Sequence, residues 1–265
     1  MRDKAPCRLL IDPPADGAWN MALDEALLTA SLESQQPTLR FYQWSRPTLS
    51  LGYFQRYQDR AEHTASRDAH VVRRLSGGGA ILHDREVTYS VLLPASHPLA
   101  RDTQALYDAL HAALIESLQG VIARENPTWQ AVPCLSSSSI SAGQEPFLCF
   151  ERRFLGDILL RGDATSCPAN EHKVVGSAQR RRRGVVLQHG SILLGRSPLA
   201  PELSGIREIS GIELQVEHML ATLPAAIAEA LRLDLYPEVL PTQFLGVAKQ
   251  IMHDKYLSDS WTKRR

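Results

Sequence analysis

Two long windows of the chain carry apolar residues at helical spacing. From Ala18 to Leu32, Met21, Leu23, Ala26, Leu27 and Ala30 form a stripe beside Asp24, Glu25 and Glu33, and Asp16 is placed to cap the first turn. From Asp102 or Thr103 onward, Leu106, Leu110, Ala113, Leu114 and Leu118 repeat that pattern until Gly120, a residue suited to end it. Between these windows lie short runs rich in β-branched and aromatic residues at Leu39–Trp44, Thr48–Tyr53, Val71–Arg74, Ala80–Leu82 and Val87–Leu93. The region around 125–145 is a predicted loop, with Pro127, Pro133, Ser136 to Ser139 and Gly143. Strands are predicted again at Phe147–Phe150, Asp157–Leu160, Lys173–Val175 and Val185–Leu194, then helices over about 214–232 and, after Pro241, about 242–257. This order predicts an α+β fold, a mixed sheet flanked by helices. No internal repeat is visible, so residues 1–265 are expected to form one domain, with a core over about 8–235 and a short helical extension over about 236–265.

Composition narrows the function classes. With 265 residues, of which 44% are hydrophobic and 22% charged, the chain is too apolar for wholesale disorder. Its 29 Lys+Arg balance 29 Asp+Glu, which argues against a nucleic-acid binder that relies on net charge. No apolar run approaches the length of a membrane span and the N-terminus lacks a signal-peptide h-region, so a cytoplasmic protein off the membrane is expected. The four cysteines, Cys7, Cys134, Cys149 and Cys167, form no C-x-x-C pair. In a reducing compartment that spacing favours neither a disulfide framework nor a metal site.

The segment Arg73-Arg74-Leu75-Ser76-Gly77-Gly78-Gly79-Ala80, followed by His83-Asp84, is the most unusual stretch. Three consecutive glycines carry an entropic cost, and they let a ligand lie directly against backbone. Their spacing matches neither the Walker loop nor the dinucleotide fingerprint. A tight hairpin turn is the plainer alternative. Arg73 and Arg74 alternate faces of a strand, so one of them is expected to point where the glycines open.

Taken with Thr88-Tyr89-Ser90, this segment resembles the signature of the lipoate–protein ligase and octanoyltransferase family. Further matches are Asn20-Met21-Ala22-Leu23-Asp24-Glu25, Lys173-Val174-Val175-Gly176-Ser177-Ala178-Gln179 and Leu187-Gln188-His189-Gly190-Ser191-Ile192-Leu193-Leu194, in order over about residues 8–195. The family shares its catalytic fold with biotin–protein ligases. The resemblance implies a mixed sheet that cradles an extended acyl chain against the glycine loop, with Arg74, Ser76, Gly77, Gly78, Gly79, His83, Gly176, Ser177, Ala178, His189 and Gly190 at the acyl site.

Within the family, an ATP-dependent ligase activates a free acid as its adenylate. A transferase starts from an acyl thioester and needs a nucleophile in place of a nucleotide site. Cys149, shortly before the lysine motif, is similar in position to the acyl-accepting cysteine of the cysteine-dependent octanoyltransferase branch. A buried apolar thiol is its alternative reading. Lys173 is the expected cation beside the thiolate, either stabilising charge or deprotonating the attacking amine, and Gly176, Ser177 and Ala178 are expected to be small so that the acyl chain can pass. His83 and His189 are candidate bases or pocket-lining groups. Gly79 follows the ligase pattern where some thiol-dependent relatives carry arginine, and residues 163–172 insert a polar segment between two expected strands. The large accessory domain of some ligases is not expected here, which favours the transferase.

The resemblance implies octanoyl-acyl carrier protein as donor, a lipoyl domain or glycine-cleavage H protein as acceptor, no cofactor and a monomer. An amidotransferase between lipoyl domains, a lipoate–protein ligase and a non-catalytic acyl-binding protein are the alternatives. Arg180-Arg181-Arg182-Arg183 reads as a solvated loop or as a landing patch for an acidic partner.

Overall fold

The computed structural model describes residues 4–135, 145–161 and 171–265. Residues 136–144 of the expected 125–145 loop and most of the expected 163–172 insertion, including Cys167, lie outside the described residues.

In chain order the elements are β1 (Ala5–Ile11), α1 (Gly17–Ser34), β2 (Thr38–Tyr42), β3 (Thr48–Leu51), β4 (His70–Arg73), β5 (Ile81–His83), β6 (Glu86–Leu93), α2 (Thr103–Glu125), β7 (Gln130–Pro133), β8 (Ile158–Arg161), β9 (Glu171–Arg182), β10 (Val185–Leu193), α3 (Ile206–Ser210), α4 (Val216–Ala230), β11 (Leu233–Pro237), α5 (Thr242–Ile251) and α6 (Asp259–Thr262). Eight strands make one mixed sheet in the order β11-β1-β2-β6-β10-β9-β8-β7, and β4-β3-β5 make a second. β1 runs parallel to β2 and β11, whereas β6, β10, β9, β8 and β7 pair antiparallel in succession.

The fold is α+β, with helices on both faces of the large sheet. Leu106, Leu110, Leu114 and Leu118 of α2 and Leu223 and Ile227 of α4 pack with Val87, Tyr89 and Val91 of β6 on one face. Leu23 and Leu27 of α1, with Leu245 of α5, pack with Leu92 and Leu187 on the other. Every residue of β6 and β10 is buried, as strands covered on both faces require.

Several elements depart from the pattern-based reading. α2 runs through Gly120 to Glu125 because Ile122 is fully buried against the sheet, and that packing outweighs roughly 1 kcal/mol of glycine penalty. Asp16 sits at the cap position of α1, but its carboxylate accepts from Arg46 Nε at 2.6 Å and Ser45 Oγ at 3.2 Å instead of from the helix. The expected strand at Phe147–Phe150 is a single bridge. Ala80 N donates to Phe147 O at 3.0 Å and Cys149 N to Ala80 O at 2.7 Å, after which Cys149–Glu151 turn as a 3-10 helix. β1, β7 and β11 have no counterpart in that reading; β11 starts after Arg232 leaves the helical run in the left-handed conformation, with φ 55°.

Candidate active site

The site forms where β4 and β5, joined by the glycine loop, meet the middle of β9 and β10. Gly52 fixes the loop from below, since a Cβ there would stand 2.0 Å from Gly78 O. Arg74 fixes it from within. Its buried guanidinium donates through Nη2 to Gly77 O and Gly79 O, both at 2.7 Å, and through Nη1 to Ser50 O at 2.8 Å. Burial lowers its pKa to about 10, and the neighbouring Cys149 thiol works against that fall. Gly78 has φ +90°, and a Cβ there would lie 3.1 Å from Arg74 Nη2 and 3.8 Å from Cys149 Sγ. A side chain at Gly78 would therefore touch both the guanidinium and the sulfur.

Cys149 is half-buried and lines a narrow, mostly apolar cavity. Arg74, His83, Gly176, Ser177, Ala178, His189 and Gly190 line that cavity with it, together with Met21, Tyr42, Trp44, Ile81 and Phe150. Ser76, the three glycines and Lys173 are not among its lining residues; Ser76 bonds the lining His189, Gly77 and Gly79 accept from the lining Arg74, and Lys173 packs against Gly176. Cys7 is a different kind of thiol: burial pushes it up to about 12, so it stays a protonated core residue.

Lys173 is held by three acceptors, Asp157 Oδ2 at 2.8 Å and the carbonyls of Cys149 and Arg152 at 3.3 Å each. An ammonium has three donors, so all are engaged. Lys173 thus grips the turn that carries Cys149. Asp157 is itself fixed by Tyr107 Oη at 3.1 Å and Phe154 N at 2.8 Å. The same lysine explains Gly176, where a Cβ would meet Lys173 Cε at 2.7 Å. The expected reason, room for an acyl chain, is joined by a steric one inside the protein. Ser177 accepts or donates at 2.8 Å to His111 Nε2, and burial lowers the pKa of His111 to about 4.

Both candidate histidines are occupied. His83 bonds Ser50 Oγ and Glu86 Oε1, each at 2.7 Å, and stacks on Trp44 at 3.8 Å. His189 Nε2 meets Ser76 Oγ at 2.5 Å and its Nδ1 lies 3.5 Å from Asp24 Oδ2. Asp24, beside the apolar stripe of α1, is buried. Burial alone would raise its pKa, but the charge of Arg40, at 2.7 Å, and the bond from His189 hold it low. Asp24, Asp157 and Arg40 are the site-supporting residues that sequence reasoning passed over. The space a side chain at Gly79 would need is taken by backbone and by Arg152: Cys149 N and Phe147 O lie 3.0 Å, and Arg152 Cζ 3.1 Å, from the point a Cβ would occupy.

The arginine run does not form one patch. Strand alternation sends Arg181 to Ala100 O and Arg182 to Thr29 Oγ1, on opposite faces, while Arg180 turns to the Tyr53 ring.

The family model of the lipoyl protein ligase A/B catalytic domain matches residues 16–198. Octanoyltransferase LipM of Kyrpidia tusciae is 34% identical, over 97% of this chain and 98% of that protein, and its namesake from Staphylococcus epidermidis is 30% identical over 93% and 94%. A lipoate protein ligase of T. acidophilum with bound lipoic acid has the same fold, with a TM-score of 0.73 at 20% identity over 97% of this chain and 99% of that one. A continuous match from α1 to the end of β10 and a relative 34% identical over nearly the whole of both chains leave one assignment: the chain belongs to the lipoyl protein ligase A/B catalytic-domain family.

Proposed function

We propose that this protein is an octanoyltransferase of lipoate assembly and that it works through a thioester on Cys149. The observation that carries the reading is the half-buried Cys149 sulfur, set between the glycine loop and an apolar cavity. The donor is octanoyl-acyl carrier protein, whose thioester ends a phosphopantetheine arm. The acceptor is a lysine of a lipoyl domain or of the glycine-cleavage H protein.

In the first step the Cys149 thiolate attacks the octanoyl carbonyl. The new C–S bond forms as the donor's C–S bond breaks, and the donor leaves as its thiol after taking a proton. In the second step the neutral amine of the acceptor lysine attacks the Cys149 thioester. The C–N bond forms, the C–S bond breaks, and the amine proton ends on the sulfur. Arg74 supplies unpaired positive charge at the thiolate and the transient oxyanion. Lys173 holds the turn that carries Cys149, and His83, Gly176, Ser177, Ala178, His189 and Gly190 shape the acyl cavity, with Ser76 and the Gly77 to Gly79 loop bonded to its lining. Thiol, cations and cavity all come from one chain, so a monomer suffices. Residues 1–265 act as one catalytic domain, in the cytoplasm, where a free thiol stays reduced.

Intact-mass measurement tests this. Octanoyl-carrier protein without ATP should leave a hydroxylamine-labile octanoyl adduct on the wild type and none on Cys149→Ser. An adduct that depends on ATP and free lipoate would replace the reading with a ligase. Loading only from an octanoylated lipoyl domain would replace it with an amidotransferase.

A further inference from the structure

Beside the glycine loop the protein presents a second, positively charged feature. Arg180 of β9 lies with its Cζ 5.3 Å from the Tyr53 ring centroid, and Arg264 Cζ lies 4.4 Å from the same ring on another approach. Arg265 Cζ stands 5.4 Å from the ring of the exposed Phe54, which itself meets Tyr53 edge-on at 4.9 Å. The two C-terminal arginines are fixed in place: Tyr57 N donates to Arg265 O at 2.8 Å, and Arg73 donates to Thr262 O at 2.8 and 3.1 Å. Among the described residues no ion pair engages Arg180, Arg264 or Arg265, whereas Arg40, Arg46, Arg152 and Arg161 are each paired with a carboxylate. A hydrogen bond from Arg264, helped by the charges of Arg264, Arg180 and Arg265, lowers the Tyr53 pKa against the opposing effect of burial. The rim is an uncompensated cationic surface with aromatic support.

Its position relative to Cys149 sets what it can bind. Phe54 Cδ2 lies 3.8 Å from the place a Gly77 Cβ would take, and the equivalent point on Gly78 lies 3.8 Å from Cys149 Sγ. One Cα–Cα step joins the two glycines, so the Phe54 ring is at most about 15 Å from the sulfur. An extended pantetheine arm, as long as roughly four to five residues, spans about 15 Å between thioester and phosphate. Guanidinium groups bind phosphate oxygens through paired N–H donors.

We propose that Arg180, Arg264 and Arg265, arrayed on Tyr53 and Phe54, form a phosphate-binding rim that anchors the phosphorylated end of a pantetheine thioester while its acyl group reaches Cys149. The ligand is defined by that shared chemistry, whether the arm belongs to a carrier protein or to coenzyme A. The proposal rests on the thioester-donor reading above. It also gives the C-terminal segment a role that the Arg180 to Arg183 run, split across two faces, does not fill.

Calorimetry with 4′-phosphopantetheine and with pantetheine tests the rim without any acyl transfer. The wild type should bind the phosphorylated arm at least tenfold tighter, the preference should shrink as salt is raised, and it should vanish in R180Q/R264Q/R265Q. Equal affinities in the wild type, or a preference that survives the triple substitution, overturn the proposal. Acylation rates with octanoyl-pantetheine, octanoyl-coenzyme A and octanoyl-carrier protein then extend it, and the ratio of phosphorylated to neutral donor should fall to about one in the triple variant. A phosphate preference in binding together with no loading of Cys149 from any thioester would leave the rim standing and remove the thioester reading. A loss confined to the carrier protein would identify an acidic protein surface as the true ligand and overturn the phosphate site.

Discussion

Arg74 and Lys173 both bring positive charge to the neighbourhood of Cys149, and the protein holds them in different ways. Lys173 is neutralised by Asp157 at 2.8 Å and spends its remaining donors on two backbone carbonyls of the nucleophile's own turn. Arg74 has no carboxylate partner among the described residues; it is surrounded by carbonyls of Ser50, Gly77 and Gly79, and its Nε is buried without any acceptor. A compensated cation positions, because its field is cancelled close by. An uncompensated one in a dry site acts on whatever negative charge develops next to it. In the proposed mechanism the pair therefore divides two tasks: Lys173 holds the turn that carries Cys149, and Arg74 is the electrostatic partner proposed for the thiolate.

Removing Arg74 breaks this division most severely. Arg74→Met strips the glycine loop of its central donor and the thiolate of its cation, and Cys149 octanoylation should slow by about 10³-fold. Arg74→Lys should recover only part of that, since one ammonium cannot span the Ser50, Gly77 and Gly79 carbonyls as a guanidinium does. Time-resolved intact mass measures both, and a loss of less than tenfold in Arg74→Met would transfer the role back to Lys173. On the other side, Asp157→Asn leaves a buried ammonium without its counter-charge and should cost about 3–5 kcal/mol of folding stability. Adding Lys173→Met to Asp157→Asn should restore much of that loss. Urea unfolding of the two single variants and the double variant checks the coupling; strictly additive losses would show that the pair is not a clamp.

How far the sequence shows this arrangement depends on which partner a residue needs. α1, α2 and the central strands are legible because their apolar spacing alone demands burial, and Leu23, Leu106 and Val91 all sit in the core. The glycine loop, Cys149 and Lys173 are legible through motif order. Asp24 and Asp157 are not, since a carboxylate is buried only when a distant cation accompanies it, and Arg40 and Lys173 come from other elements. β11 is obscured for a similar reason. Its alternating Leu233 and Leu235 make sense only beside β1, at the far end of the chain. The expected unity of Arg180 to Arg183 ignores the two-residue period of the strand that carries them.

A smaller effect sharpens the contrast from the Lys173 side. His111 bonds Gly156 O at 2.7 Å and Ser177 Oγ at 2.8 Å beside the Asp157 network, and burial lowers its pKa from the ordinary 6.5 to about 4. The unfolded chain takes up this proton more readily than the folded one. The stability that neutral His111 contributes is therefore complete above pH 6.5 and lost as pH falls toward 4. Between pH 7 and pH 5 the loss should be about 2 kcal/mol, and His111→Gln should flatten that part of the profile. Denaturant midpoints at the two pH values decide it: an equally steep decline in His111→Gln would assign the acid sensitivity elsewhere.

The smallest effect falls on the Arg74 side, within the glycine loop itself. Gly78 alone of the three has a left-handed backbone, φ +90°, and its Cβ position crowds Arg74 Nη2 at 3.1 Å. Gly77 has ordinary φ and faces only Phe54, at 3.8 Å. Gly78→Ala should cost about 1–2 kcal/mol and slow Cys149 acylation, because the strained loop shifts the guanidinium that holds it. Gly77→Ala should stay within about 0.5 kcal/mol of the wild type. Thermal melts and acylation rates of the two variants, compared side by side, separate a loop shaped around Arg74 from one that merely turns the chain. In the second case the acylation rate would follow neither substitution, and Arg74 would lose its claim to act through the loop it binds.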